Sequence, residues 1–302
     1  MRTVCVTGGN GLLGTKLTEL ASRSFRVFSA DLKEGVSSGL RNVEYVRADI
    51  VDPAQVDSLL RRAEPEAVFH TAAFTDVDGC ETRRETAWSV NVTGTENVAS
   101  ACGRHGVRLI HLSSDYVFDG AAGPYSETDA PNPVCHYGRT KLESERIVQS
   151  LLPDALIART MVLYGYARGA RDNFVTWLVA ALGRGTHVRI VTDQFGHPTL
   201  ADDLARALLL LFEKKAAGVV HAAGSQWLNR FDFAVKTAGA FGLDVSLIAP
   251  TTSDAFKQTA PRPLRSGLKT DKLRDAFGLV LSSADEGLRT VHNQMTEAGI
   301  RI

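Results

Sequence analysis

The chain has 302 residues, 44% of them hydrophobic, and its 34 Lys and Arg are balanced by 34 Asp and Glu. That length suits one large α/β domain or a large domain with a smaller partner, and the neutral balance leaves no charge-based case for nucleic acid or a membrane as partner. The four cysteines, Cys5, Cys80, Cys102 and Cys135, form no Cys-x-x-Cys pair and lack the histidine spacing of a zinc site, so reduced structural thiols and no metal are expected.

The N-terminus enters a strand directly, Thr3 to Thr7, without a charged leader, and no apolar run approaches membrane-spanning length. A soluble, cytoplasmic protein is expected. Further short runs rich in β-branched residues read as strands: Arg26 to Ala30, Val43 to Val46, Ala67 to Thr71, Arg108 to Ser113 and Ala155 to Arg159. Amphipathic, helix-period stretches separate most of them. Continuous apolar segments such as Ala67-Val68-Phe69 suit a parallel sheet covered on both faces, so the expected fold class is α/β, a doubly wound parallel (Rossmann) sheet. Residues 1–162 are assigned to a dinucleotide-binding domain, rejoined by about 187–222 through the apolar run Gly218 to Ala222. Residues 163–186 and 223–302, richer in Gly- and Pro-bearing loops, are assigned to a smaller, discontinuous substrate-binding lobe.

Between the first strand and the first helix lies Thr7-Gly8-Gly9-Asn10-Gly11-Leu12-Leu13-Gly14. Glycines here permit a tight turn and close approach of the backbone to a pyrophosphate seated on the helix N-terminus near Leu12, and Gly14 lets the helix pack closely on the sheet. The second strand leads into Asp31, an acid placed to accept from the adenosine ribose hydroxyls and to repel a 2′-phosphate. NAD is therefore favoured, with Lys33 and Arg41 close enough to admit NADP. Asp49-Ile50 either brackets the adenine or is an ordinary helix-initiating pair. Ala72-Ala73-Phe74-Thr75 places small residues and a hydroxyl where a dinucleotide would cross the sheet edge.

Tyr137 and Lys141, four apart, share one helix face. In ketone reduction Tyr137 would donate the proton, and Lys141 would lower the tyrosine pKa and hold the nicotinamide ribose. Ser114, at the end of the fifth strand, would bind the substrate oxygen and the Tyr137 hydroxyl, with Asp115 beside it. Cys135-His136 are sequence neighbours that point apart on a helix, so they are not read as a nucleophilic pair. His70, His111 and His221 are read as satisfied core or edge histidines. Asn91 is read either as a buried anchor for active-site backbone or as a routine helix residue.

These residues resemble the extended short-chain dehydrogenase/reductase superfamily, and within it the dTDP-4-dehydrorhamnose reductase family, over nearly the whole chain. Ala72 to Asp78, Ser113-Ser114-Asp115-Tyr116-Val117-Phe118-Asp119-Gly120, Asp193-Gln194-Phe195-Gly196-His197-Pro198-Thr199 and Arg262 to Thr270 carry the likeness. It implies a two-lobed fold and reduction of the C4 ketone of a dTDP-linked deoxysugar by Ser114, Tyr137 and Lys141. The implied cofactor contacts are Gly8, Gly11, Leu12, Leu13, Gly14, Asp31, Asp49, Ile50, Ala72, Ala73, Thr75, Tyr137 and Lys141. Ser114, Asp115, Tyr137 and Arg262 would face a nucleotide-sugar substrate, and a homodimer is compatible. Two departures stand out: Met161-Val162 replaces the family's Ser-Trp, and Arg265 replaces an asparagine. The serine strand and Tyr-Lys helix also resemble the regulatory subunit of methionine adenosyltransferase. A cofactor-retaining sugar-nucleotide epimerase or dehydratase is the third reading.

Overall fold

Strands whose side chains are buried on both faces stack in parallel at the centre of the molecule. A computed structural model of the chain describes residues 1–33 and 39–300; the last two residues of the stretch 223–302 fall outside it. The first half runs β1 (Thr3–Thr7), α1 (Leu12–Ala21), β2 (Arg26–Asp31), β3 (Val43–Arg47), α2 (Pro53–Ala63), β4 (Ala67–His70), α3 (Val77–Thr82) and α4 (Arg84–Trp88). A π-helical turn (Ser89–Thr93), α5 (Gly94–His105), β5 (Arg108–Ser114), α6 (His136–Leu151) and β6 (Leu156–Thr160) follow. All six expected strands form, and their ends shift by a residue or so. Thr71, expected inside β4, lies just past it, although its N–H still bonds the Thr7 carbonyl at 3.1 Å.

The chain continues through β7 (Leu163–Tyr164), α7 (Phe174–Gly183), β8 (Val188–Val191), β9 (Phe195–Gly196), β10 (Thr199–Leu200), α8 (Ala201–Glu213), β11 (Gly218–His221) and β12 (Leu228–Asn229). It ends with α9 (Arg230–Ala240), β13 (Ile248–Thr251), α10 (Ser253–Phe256), α11 (Asp271–Phe277) and α12 (Ala284–Glu297). The main sheet has seven strands in the order β11-β6-β5-β4-β1-β2-β3. All are parallel. This is the doubly wound arrangement, in which the order reverses between β1 and β4 and opens a crevice at the carboxyl ends of the strands.

One apolar layer joins the sheet to α1 and α8 through Val4, Leu17, Phe69, Ile110, Leu204 and Leu208. The opposite layer joins it to α2 and α5 through Phe28, Val68, Leu109, Leu59 and Val98. Within 187–222, β8 pairs with β13 outside the main sheet, whereas β11 extends the sheet beside β6. Helix α8 packs on α1. A second body of apolar contacts, with Tyr164, Phe233, Leu288 and Val291, holds α7, α9 and α12 together.

Behind the sheet end, Arg159 on β6 makes a two-pronged bond to Glu145 on α6, at 2.9 and 2.6 Å, with both side chains under 5% exposed. Removing one partner strands the other's charge in a dry interior. Glu145→Ala is expected to cost about 3–5 kcal/mol in urea unfolding, whereas Glu66→Ala, whose exposed carboxylate pairs with Arg2, is expected to cost under about 1 kcal/mol.

Candidate active site

The crevice at the strand reversal is a cavity of about 580 Å³. Its nucleotide end is built by the turn after β1. Gly8 has φ +73°, and a Cβ there would stand 2.6 Å from the Ala72 nitrogen; one on Gly14 would stand 2.1 Å from the Gly8 carbonyl oxygen. Only glycine lets this turn close between β4 and the first turn of α1. Gly8, Gly11, Leu12, Leu13 and Gly14 all line the cavity, as do Asp31, Asp49, Ile50, Ala72, Ala73 and Thr75.

Asp31 Oδ2 accepts the Asn10 N–H at 3.0 Å, tying the end of β2 to the glycine turn. Asp49 has a local role besides lining the cavity, because its Oδ1 accepts the Val51 N–H at 2.9 Å. The cap of α2 is Asp52, which accepts from Ala54 and Gln55. Two buried hydroxyls that line the cavity, Ser113 and Thr160, have no hydrogen-bond partner among the described residues. A dinucleotide fits this set: a backbone cradle at a helix N-terminus, an acid at the second strand and unsatisfied hydroxyls toward the far end.

The far end holds Ser114, Asp115, Tyr137 and Lys141, all at most 9% exposed. Helix α6 presents the last two, and its first turns are clamped from within. Thr140 donates to the Tyr137 carbonyl at 2.7 Å and receives Asn91 Nδ2 at 3.0 Å. Ser144 donates to the Lys141 carbonyl at 2.7 Å and meets His111 Nε2 at 3.0 Å. Asn91, projecting from the π-turn, also grips both the N–H and the C=O of Phe74. It is the buried backbone anchor, not a routine helix residue. Gly138 lets α6 approach closely, since a Cβ there would stand 2.1 Å from the Tyr116 carbonyl oxygen.

The Tyr137 hydroxyl lies near Ser114, and its ring meets Tyr116 edge-on at 5.4 Å. Burial, and then the nearby Asp115 charge, hold its pKa well above the usual phenol range. This corrects the expected depression by Lys141: the ammonium donates to the Leu112 carbonyl at 2.6 Å. Burial lowers the lysine from its ordinary 10.5 to about 8, opposed by Glu145 one turn away. Asp115 is pushed up to about 6 by burial, opposed by hydrogen bonds from Ser266 and Ser114.

His70 is satisfied as expected, between Thr7 and Thr95. His221 bonds the Lys269 carbonyl. His111 departs from that expectation, because its Nδ1 has no partner among the described residues. Burial holds all three well below the ordinary imidazole range. Cys135 caps α6, and His136 Nε2 turns away to the Arg84 carbonyl.

Arg262 is the one expected site residue that does not line the cavity. Its guanidinium is held by Asp78 at 3.0 Å and by the Ala260 carbonyl. Arg230 takes the wall that Arg262 was expected to supply. It begins α9, lies over the Phe174 ring and forms no salt bridge among the described residues. Sequence reasoning missed it, together with the Arg171–Asn173 loop; only the Asn229 and Asn173 helix caps beside them carry a local signal. Val162 adopts φ +46°, a costly conformation for a β-branched residue, in the cavity wall. Arg265, the other departure, stacks on Phe195 and Trp227, which explains a long cation there.

Residues 1–297 match the family model described as RmlD substrate binding domain. The chain is similar to a dTDP-4-dehydrorhamnose reductase of Mycobacterium tuberculosis, 38% identical over 88% of this chain and 84% of that protein. It is also similar to methionine adenosyltransferase 2 subunit beta of Xenopus tropicalis, 33% identical over 90% of this chain and 81% of that one. Among solved structures, dTDP-4-dehydrorhamnose reductase of Bacillus anthracis, in complex with NADP, superposes with a TM-score of 0.86 at 29% identity, covering 97% of this chain and 100% of that chain.

Because Lys141 titrates lower folded than unfolded, the unfolded chain binds the extra proton between pH 8 and 10.5, and stability gains from this residue as pH rises through that window. Urea unfolding of the wild type relative to Lys141→Met is expected to shift in the wild type's favour by about 3 kcal/mol between pH 7 and 10.5. A pH-independent difference would contradict the assignment.

Proposed function

The chain belongs to the RmlD substrate binding domain family, and from that membership we propose that it reduces the C4 ketone of a nucleotide-linked 6-deoxysugar, dTDP-4-dehydrorhamnose being the first candidate. It is an NAD(P)-dependent oxidoreductase, as its relatives are. The observation that carries the finer reading is Tyr137, buried beside Ser114 at the end of a dinucleotide-sized cavity and held protonated. A reduced nicotinamide bound there supplies the hydride.

Gly8, Gly11 and the α1 N-terminus would hold the pyrophosphate, and Asp31 the adenosine ribose. As charge develops on the ketone oxygen, Tyr137 gives up its proton. Its raised pKa keeps that proton in place at neutral pH, and an alkoxide is far more basic than a phenolate, so the transfer runs downhill. Ser114 orients the tyrosine hydroxyl beside the ketone. Lys141 brings an ammonium, protonated below about pH 8, to the nicotinamide ribose. Arg230 offers the substrate diphosphate a cation that makes no salt bridge among the described residues, with the Asp115 charge its nearest anionic influence. The four free, buried thiols accord with a reducing compartment, and we assign the protein to the cytoplasm.

Likeness to the methionine adenosyltransferase β subunit favours a second reading, a dinucleotide-binding regulatory subunit. Such a protein binds NADH and a partner enzyme but reduces no ketosugar.

Tyr137→Phe is expected to lower kcat for the 4-ketosugar by about 10² to 10⁴-fold while leaving NADH affinity within a few-fold; turnover like the wild type's would reject Tyr137 as the acid. Asp31→Ala is expected to shift the kcat/KM ratio from NADH toward NADPH, by removing a ribose acceptor and the repulsion of a 2′-phosphate. An unchanged ratio would place discrimination elsewhere.

A further inference from the structure

The strap between α10 and α11 delivers one residue against Asp115 in the wall of the cavity. Ser266, 2% exposed, donates to Asp115 Oδ2 at 2.5 Å. The other carboxylate oxygen, Oδ1, receives the Ser114 hydroxyl at 2.9 Å. An ionised carboxylate only accepts, so both serine protons are committed to Asp115. Ser114 Oγ is then left with lone pairs, one taken by the Tyr116 N–H at 3.2 Å and one open to a donor, with the Tyr137 hydroxyl nearby.

Main-chain bonds fix the strap independently of the Ser266 hydroxyl. Tyr125 N–H bonds the Gly267 carbonyl and Lys269 N–H the Tyr125 carbonyl, each at 2.7 Å, and Leu268 N–H reaches His197 Nδ1 at 3.2 Å. The charged and titratable groups around Asp115 are its chain neighbour Tyr116 in the 3-10 turn Asp115–Val117, Cys135 and Tyr137 at the start of α6, Arg230 at the start of α9 and, one step further out, Arg262 on the strap.

We propose that Ser266 is a positioning residue for the reduction. By holding Oδ2 it sets the Asp115 carboxylate so that Oδ1 takes the Ser114 proton, which fixes Ser114 Oγ as an acceptor that orients the Tyr137 hydroxyl until the substrate oxygen takes over its proton. The inference rests on the reductase reading given above. It ties a segment 151 residues downstream of Asp115 to the orientation of the acid. Without Ser266 the carboxylate is free to rotate, Ser114 loses its fixed polarity, and the Asp115 charge loses one of its stabilising bonds.

The test compares wild type, Ser266→Ala and Ser266→Thr by steady-state reduction of the nucleotide-linked 4-ketosugar, NADH binding, thermal melting and ¹³C NMR titration of aspartate-labelled protein. The Asp115 signal is identified by its loss in Asp115→Asn. In Ser266→Ala, kcat is expected to fall about tenfold. NADH affinity should stay within twofold, while the Asp115 midpoint and the acid limb of kcat move together to higher pH. Ser266→Thr, which keeps the hydroxyl, is expected to restore both. An unmoved Asp115 midpoint with unchanged kcat would overturn the proposal, as would parallel losses of kcat, NADH affinity and melting temperature that threonine does not restore. Should the wild type reduce no ketosugar while the midpoint still shifts in Ser266→Ala, the hydrogen-bond assignment stands and the reductase reading is what fails.

Discussion

The site depends on how the first turns of α6 are held against the end of β5. Tyr137 and Lys141 share a face because they are four apart, but a shared face aims nothing until the helix is fixed in rotation and depth. Two hydroxyl clamps fix it: Thr140 on the Tyr137 carbonyl, itself held by Asn91, and Ser144 on the Lys141 carbonyl, itself met by His111. The Glu145–Arg159 pair locks the following turn to β6. Each clamp satisfies buried polar groups while using them as spacers, so packing and catalytic geometry are one arrangement.

That arrangement puts three ionisable side chains in a dry pocket, and burial moves each toward its neutral form. Tyr137 rises, Asp115 rises to about 6 and Lys141 falls to about 8. Tyr137 keeps its proton at neutral pH, and the carboxylate beside it stays ionised above about pH 6 because Ser114 and Ser266 both donate to it. The lysine carries its charge below about pH 8, the protonation states that the proposed reduction calls for.

Much of this was legible in the residues. The six strands, the glycine turn and the return of Gly218–His221 to the sheet follow from local patterns of β-branched and small residues, because a parallel sheet buried on both faces leaves an unbroken apolar trace. The cavity-lining set from Gly8 to Lys141 was legible because its members cluster where strands end and in the turns and first helical turns that follow. Arg230 and the contact made by Ser266 were not. They come from where the second half of the chain folds back, through the β12–β9 pairing and the strap against Tyr125, and no local period encodes that. Arg262 shows the converse, a motif residue whose charge is spent on Asp78 before it reaches the cavity. The sign of the Tyr137 shift was also hidden, because spacing reveals a neighbouring charge but not the burial that outweighs it.

The central claim is that this cavity moves hydride from a reduced nicotinamide to the C4 carbonyl of a sugar. It is tested most directly by incubating the protein with a dTDP-linked 4-keto-6-deoxysugar and NADH bearing deuterium at the transferable position of the nicotinamide, then locating the label by NMR. The account predicts deuterium on carbon 4 of the product sugar, with one NADH consumed for each sugar reduced. Deuterium retained on the nicotinamide, with the cofactor bound and the ketosugar unchanged, would contradict it.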